Sequence, residues 1–285
     1  MALARIIRAW KNAGLEKGDN DMRAEQEMIE SLIDIANTDD RIRAVSMEGS
    51  RANPAVPKDR YQDYDITYYV TDIAPFYNKP EWVVERFGEP LIMQMPEAMR
   101  WPDGGGHFNY MMIYPDGIRL DLTFQPKIYI DNGEPSVTLL DKDGGNGFRP
   151  ALPPPDDAVY HLSPPSPLHY YSCCNNFWWC LNNVAKGIAR DELPYVMALL
   201  NEVRSELHYM INWHIGVQHG FGLSTGKDGK YFKRYLSPEL FAQYASTYSG
   251  ADYDEVWRSV SALSIRQGEE DGMRIYLGMV KEYEC

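Results

Sequence analysis

The chain has few cysteines and no long apolar run. Its 285 residues include only four cysteines, Cys173, Cys174, Cys180 and Cys285, without a C-x-x-C pair or a spacing typical of a zinc site. No run of about 18 apolar residues is present, and the N-terminus lacks a secretory apolar core with a small-residue cleavage site. These absences predict reduced thiols, no membrane partner and a cytoplasmic protein.

Basic residues are in the minority. The sequence has 28 lysines and arginines against 41 aspartates and glutamates, a formal net charge of -13. Sequence-independent nucleic-acid binding depends on basic side chains that neutralise phosphates, so the composition argues against nucleic acid as a partner. An acidic protein suits a cationic ligand better, because its field attracts such a ligand over a distance. The alternative, that the negative charge only serves solubility, is equally open.

A glycine-serine turn follows an apolar, β-branched segment. Residues 42–47 (IRAVSM) predict a buried strand, and Gly49 then lets the backbone turn sharply. Amide N–H groups of such a turn, together with the Ser50 hydroxyl, can meet an anion. The turn therefore predicts a phosphate-binding position.

Two aspartates lie at alternate positions of the next predicted strand. Asp63 and Asp65 are two residues apart, so in a strand their side chains project from the same face. Paired carboxylates supply the oxygen ligands that Mg²⁺ prefers, commonly together with a substrate phosphate. An Asp-x-Asp alone is often a solvated strand edge, and a Gly-Ser alone is often only a turn. In this order the two motifs indicate metal-dependent nucleotidyl transfer.

A third carboxylate stands in a later strand pattern. Residues 118–125 (IRLDLTFQ) alternate as a strand, and Asp121 lies among mostly apolar or aromatic neighbours. A buried carboxylate without a partner would cost several kcal/mol or change its pKa, whereas a metal or a cationic neighbour removes that cost. Asp121 is therefore predicted to join Asp63 and Asp65 as a metal ligand and catalytic residue.

Periodicity predicts an α+β chain, with a mixed sheet and flanking helices first and a helical bundle second. A segment rich in glycine and proline over residues 131–167 predicts turns and loops, and it separates the two parts. The predicted domains are residues 21–150 and 151–285, preceded by residues 1–20 as an upstream extension or an added segment. Helices are predicted at residues 22–37, 80–87, 168–190, 192–217, 238–248 and 252–283, and strands at residues 42–47, 91–95, 108–114 and 118–125, with a further strand that carries Asp63 and Asp65.

The order of Gly49-Ser50, Asp63-x-Asp65 and Asp121 resembles the DNA polymerase beta-like nucleotidyltransferase superfamily. A narrower resemblance, to the aminoglycoside 6-adenylyltransferases that modify streptomycin, covers residues 22–285. Three segments carry this resemblance, and a fourth adds to it by its overall residue pattern rather than by a compact motif. These are residues 22–45 (MRAEQEMIESLIDIANTDDRIRAV), 48–70 (EGSRANPAVPKDRYQDYDITYYV), 108–125 (FNYMMIYPDGIRLDLTFQ) and 175–195 (NNFWWCLNNVAKGIARDELPY).

The resemblance implies a nucleotidyltransferase sheet domain with a helical bundle, and ATP and the acceptor between them. It implies in-line attack of an aminoglycoside hydroxyl on the α-phosphate of ATP, release of pyrophosphate, and antibiotic resistance. Streptomycin carries two guanidinium groups, which carboxylates can pair with. Mg²⁺ at Asp63, Asp65 and Asp121 would bridge the phosphates.

The resemblance also suggests the nucleotide contacts and the base. Gly49 and Ser50 would grip the pyrophosphate, with Arg51 as a charge partner and Lys186 as a triphosphate contact from the helical domain. The base that accepts the hydroxyl proton could be Asp121 or a carboxylate of the helical domain, and sequence shows neither geometry nor pKa to decide. The candidates in the helical domain are Asp191 and Glu192.

Two alternatives stay open. The same site could nucleotidylate another acceptor, such as another aminoglycoside, a lincosamide-like drug or a protein hydroxyl. The chain could also be a non-catalytic nucleotide-binding module, although the presence of Gly49, Ser50 and all three aspartates argues against decay of the site.

Overall fold

A six-stranded mixed sheet and a set of helices form the chain. The computed structural model describes residues 25–99, 106–126, 133–144 and 154–264. The chain divides into two compact units at the Val159–Tyr160 bond. The sheet lies in the first unit, and the long helices lie in the second, which confirms the predicted α+β class. The predicted extension over residues 1–20 and the predicted boundary at residue 150 lie outside the described residues.

The sheet of the first unit has the strand order β3-β4-β5-β2-β1-β6. Only β2 and β5 run parallel, and all other neighbours are antiparallel. The strands are β1 Ile42–Glu48, β2 Tyr64–Val70, β3 Ile92–Gln94, β4 Phe108–Ile113, β5 Arg119–Pro126 and β6 Ser136–Asp141; the helices are α1 Glu25–Thr38, α2 Gly49–Ala52 and α3 Pro80–Phe87.

One face of β4 and β5 carries the core, and the other face is half-buried. On β5, Leu120, Leu122 and Phe124 are buried, while the residues between them are only partly covered. Side chains in a strand alternate between faces, so Asp121 belongs to the half-buried face. Helix α1 covers the core through its own buried stripe, Met28, Leu32 and Ala36. The alternation thus leaves the carboxylates on the face opposite the core.

Strand β6 was not predicted. The sequence over residues 131–167 indicated only turns, whereas the structure pairs Ser136–Asp141 antiparallel with β1. The strand is six residues long, lies at the sheet edge and is only partly buried, so it lacks the alternation that marks an inner strand. Its flanking glycines and prolines concealed it further.

The second unit is helical in its described part, as predicted. Helices α4 and α5 pack on each other through a shared core that includes Val184, Val196 and Leu200. No helix among the described residues is both long and apolar enough to cross a membrane. The helices are α4 Pro167–Ala189, α5 Leu193–His219, α6 Phe232–Tyr235, α7 Pro238–Ala245 and α8 Tyr253–Ser264. The predicted continuation to residue 283 lies outside the described residues.

Three of the four cysteines lie on α4. Cys173, Cys174 and Cys180 are free thiols, as predicted, and two of them are buried. Burial raises the pKa of the Cys180 thiol, so it behaves as a small apolar side chain rather than a nucleophile.

Candidate active site

Three carboxylates on neighbouring strands form a row across the sheet. Glu48 at the end of β1 lies opposite Asp65 on β2, and Asp65 lies opposite Asp121 on β5. Opposed residues point to the same face, and neighbouring strands are about 4.8 Å apart. The structure therefore brings Asp65 and Asp121 side by side. Sequence reasoning did not assign Glu48 to the site, although its place directly before the glycine-serine turn was a signal.

Arg119 connects two of the predicted site residues. Its Nε and Nη2 donate to the two carboxylate oxygens of Asp121 at 3.0 and 2.6 Å, and its Nη1 lies 3.3 Å from Asp63 Oδ2. Asp63 directly precedes β2, so it reaches this cation from the start of the strand. The partner that Asp121 required is therefore a cationic neighbour in this structure. The signal in the sequence was an arginine two positions before Asp121, on the same strand face.

The carboxylates affect each other's ionisation. Burial, then the nearby charges of Asp121 and Asp63, raise the pKa of Asp65 to about 6. Glu48 adds a smaller repulsion, and the Arg119 cation acts in the opposite direction. Burial also raises the pKa of Asp63, against the attraction of Arg119. Crowded, partly buried carboxylates of this kind concentrate negative charge where a cation would relieve it.

The glycine-serine turn lies directly over Asp65. Helix α2 begins at Gly49, whose φ of +68° is in the left-handed region that favours glycine. A Cβ at this position would overlap Asp65 Oδ2. Gly49 is therefore needed for its conformation and for the close approach of the backbone to the carboxylate. The turn that was predicted to bind phosphate stands next to the predicted metal ligands.

Arg51, predicted to contact phosphate, makes contacts within the protein in this structure. Its guanidinium is buried, with 4% of the side chain exposed, and lies 3.8 Å from the centre of the Tyr64 ring. Nε and Nη2 donate to the main-chain carbonyls of Asp63 and Gln62 at 3.1 and 2.8 Å, and Nη1 donates to Glu25 Oε2 at 2.9 Å. These contacts attach the segment that carries Asp63 to α1 and α2. A phosphate contact by Arg51 stays a prediction.

The carboxylates fit Mg²⁺ through a pair of ligands rather than a finished cage. The described part of the chain has no group of three or more His, Cys, Asp or Glu side chains gathered around one metal position. Mg²⁺ keeps several waters and commonly uses one or two carboxylates plus substrate phosphates. Asp65 and Asp121, adjacent in register, supply such a pair of oxygen donors. Phosphate binding at the adjacent Gly49 turn stays a prediction.

The sequence comparisons place the chain in a family. A family model described as streptomycin adenylyltransferase matches residues 22–265, a range that includes every predicted site residue. The chain belongs to the streptomycin adenylyltransferase family. An aminoglycoside 6-adenylyltransferase of Bacillus subtilis strain 168 is 41% identical over 247 residues, which are 84% of this chain and 86% of the relative. One from Campylobacter jejuni is 40% identical over 245 residues, 84% of this chain and 83% of the relative.

The chain is also similar to a protein of known structure. The crystal structure of an aminoglycoside 6-adenyltransferase from Bacillus subtilis is 34% identical, covers 91% of this chain and 99% of that chain, and has a TM-score of 0.37. The family assignment rests on the sequence matches, which confirm the resemblance seen in the motifs.

The remaining candidates of this streptomycin adenylyltransferase family member lie in the second unit. Lys186 is in the last turn of α4, and Glu192 directly precedes α5. Asp191 lies between the helices with a positive φ of 58° and accepts a hydrogen bond from the Tyr253 hydroxyl at 2.8 Å. Their proposed roles, in triphosphate binding and as the base, stay predictions.

Replacing Gly49 by alanine is expected to lower adenylyl transfer about 100-fold. The new methyl group would displace the Asp65 carboxylate. A displacement of about 1 Å in an active site can lower the rate by this factor. The matched control is Gly144→Ala, which has a similar φ of +62° and nothing within 4 Å of the added Cβ. Both substitutions carry a backbone cost of about 1–2 kcal/mol. Thermal unfolding and initial rates should show similar destabilisation but an activity loss only at Gly49; equal activities would contradict the close-approach argument.

Proposed function

We propose that the protein transfers AMP from ATP to a hydroxyl of an aminoglycoside, with streptomycin as the acceptor, in a reaction that depends on Mg²⁺. The observation that carries this proposal is the pairing of Asp65 with Asp121 beside the Gly49 turn. Membership of the streptomycin adenylyltransferase family supports the reaction class. The relatives' own names, aminoglycoside 6-adenylyltransferase, support the acceptor class.

The carboxylates would hold the metal and the nucleotide in one place. When bound, Mg²⁺ would stabilise negative charge on the phosphates and on the attacking and leaving oxygens. Asp65 and Asp121 are its proposed ligands, and Asp63, which directly precedes β2, stays the proposed third carboxylate of the metal site. Their fixed register on two central strands sets the separation of the ligands before substrate arrives.

The turn after β1 would bind the phosphates that leave. Gly49 brings the main chain close to Asp65, so amide groups of the turn and the Ser50 hydroxyl can meet phosphate oxygens beside the metal ligands. The Gln62 side chain donates to the Ser50 carbonyl at 2.9 Å, which fixes the turn from the opposite side of the loop. The turn is therefore arranged in advance rather than ordered by substrate.

The acceptor hydroxyl must lose a proton as it attacks the α-phosphate. A carboxylate is the expected base, and Asp121, Asp191 and Glu192 are the candidates. The acidic composition suits a cationic acceptor, because a net charge of -13 attracts a molecule that carries two guanidinium groups. Carboxylates would thus both attract the cationic acceptor and accept the proton of its hydroxyl group.

Purified protein is expected to release pyrophosphate from ATP and Mg²⁺ when streptomycin is present, and to stop when EDTA removes the metal. An aminoglycoside without a streptidine ring should support little or no release, because it lacks the two guanidinium groups. Release with that second drug alone would show that the acceptor is another aminoglycoside, and the proposed reaction class would still hold. Release that continues in EDTA would contradict the metal requirement.

A further inference from the structure

Arg119 is the cation that contacts two of the site's acids at once. Both oxygens of Asp121 accept from it, and the third guanidinium nitrogen reaches Asp63. The forked geometry is the strong form of an arginine–carboxylate pair. A metal ligand needs a carboxylate oxygen with a lone pair directed at the metal. In this structure the guanidinium occupies both oxygens of Asp121, one of the two proposed metal ligands.

We propose that Arg119 is the resident counter-ion of the site, and that its guanidinium leaves Asp121 when a divalent cation binds. This inference rests on the proposed function, because it takes the acidic row as the metal site. Arg119 and the metal then compete for the same carboxylate oxygens of Asp121. The affinity for metal is then set partly by how tightly Arg119 holds Asp121.

The surroundings of Arg119 permit this movement. Its side chain is 39% exposed, and its partners Asp63 and Asp121 are 37% and 18% exposed. The guanidinium is therefore open to solvent, which lowers the net strength of its ion pairs, most of all the one to Asp63. Arg51, by contrast, is 4% exposed and is fixed by two main-chain carbonyls, a carboxylate and an aromatic ring. Of these two site arginines, Arg119 has the exposure and the contacts of a side chain that can be displaced.

Metal affinity of the nucleotide-free protein tests the proposal without any turnover. Mn²⁺ binding, followed by electron paramagnetic resonance and isothermal titration, is expected to be about tenfold tighter in Arg119→Gln than in the wild type. Tenfold corresponds to ~1.4 kcal/mol, a moderate value for removing a nearby positive charge and a competing fork. General damage to the site would weaken binding instead, so the direction of the change is diagnostic.

Two further variants separate the fork from its charge. Arg119→Lys keeps the charge but cannot occupy both Asp121 oxygens from one planar group, so it should bind Mn²⁺ more tightly than the wild type by a few-fold. Arg43→Gln removes the same type of fork, from Arg43 on β1 to Asp143 just after β6, and should leave Mn²⁺ affinity unchanged.

Mn²⁺ binding by the wild type and by the Arg119 variants distinguishes failure of the metal site from failure of the Arg119 displacement. Wild-type protein that binds no Mn²⁺ at this site would overturn the metal assignment of the proposed function, and Arg119 with it. Wild-type binding with an unchanged or weaker Arg119→Gln would overturn only the inference on Arg119. If Arg119→Gln binds more tightly but Arg119→Lys matches the wild type, the effect is charge alone and the displacement is overturned.

Discussion

Replacing Asp65 by asparagine is expected to lower adenylyl transfer by about 10³-fold or more and to make the metal-free protein more stable at pH 8. The rate falls because the change removes a metal-binding charge at nearly constant volume, and metal stabilisation of the transition state is worth several kcal/mol. The stability rises because the same carboxylate is partly buried beside Asp121 and Asp63. One substitution should therefore separate function from stability.

The stability effect of Asp65 has a defined pH dependence. Its pKa is about 6 in the folded protein and near 4 in the unfolded chain, so the folded state binds the proton more tightly. The stabilising contribution of this proton is present below about pH 4 and is lost as pH rises through 6, a change on the order of 2–3 kcal/mol. The advantage of Asp65→Asn over the wild type should be full at pH 8 and disappear near pH 4.

Urea unfolding in EDTA at several pH values, together with rates measured in Mg²⁺, would check both parts of the prediction for Asp65. Asp34→Asn is the matched control, because Asp34 is exposed on α1 and loses the same charge. It should change stability by less than about 0.5 kcal/mol and leave the rate intact. An Asp65→Asn protein that is active at the wild-type rate would remove Asp65 from the metal site.

Replacing Arg51 by methionine is expected to destabilise the first unit by about 2–4 kcal/mol. The substitution leaves the partly buried carbonyls of Asp63 and Gln62 without a donor and removes the guanidinium from the Tyr64 ring. The ion pair with Glu25 adds little, because that carboxylate is 41% exposed. Arg51→Lys should recover only a small part, since one ammonium cannot reproduce three directed contacts.

The control for Arg51 lies in the loop that follows α2. Arg60 is exposed and contacts only its neighbour Tyr61 among the contacts that the described structure gives it, so Arg60→Met should change stability by less than about 0.5 kcal/mol. Urea unfolding of both variants measures the difference. If Arg51→Met and Arg60→Met were equally stable, Arg51 would not hold the segment that carries Asp63.

Elements with strong local signals were predictable from sequence. Helix α3 begins at Pro80 and ends at Phe87, as predicted, because proline favours the first helical turn and a glycine follows the last. The β4–β5 hairpin also follows its alternation and its turn residues, with small changes at the strand ends. Such signals depend on only a few neighbouring residues, so they can be recognised in the sequence alone.

Features that depend on pairing between distant strands were not predictable. The sequence predicted that Asp65 and Asp121 share a site, but the place of Glu48 opposite Asp65 results from strand register, which no local pattern contains. Strand β6 was missed for the same reason, because its place is fixed by its pairing with β1. The roles of Arg119 and Arg51 followed from contacts, since an arginine beside an acid in sequence does not reveal which oxygen it meets.

Mass spectrometry of the acceptor tests the central claim, adenylyl transfer at the carboxylate row, most directly. Streptomycin would be incubated with ATP, Mg²⁺ and either the wild type or Asp65→Asn. We predict an AMP adduct of streptomycin with the wild-type protein and almost none with the variant. No AMP adduct with the wild type, or equal yields from the two proteins, would contradict the claim.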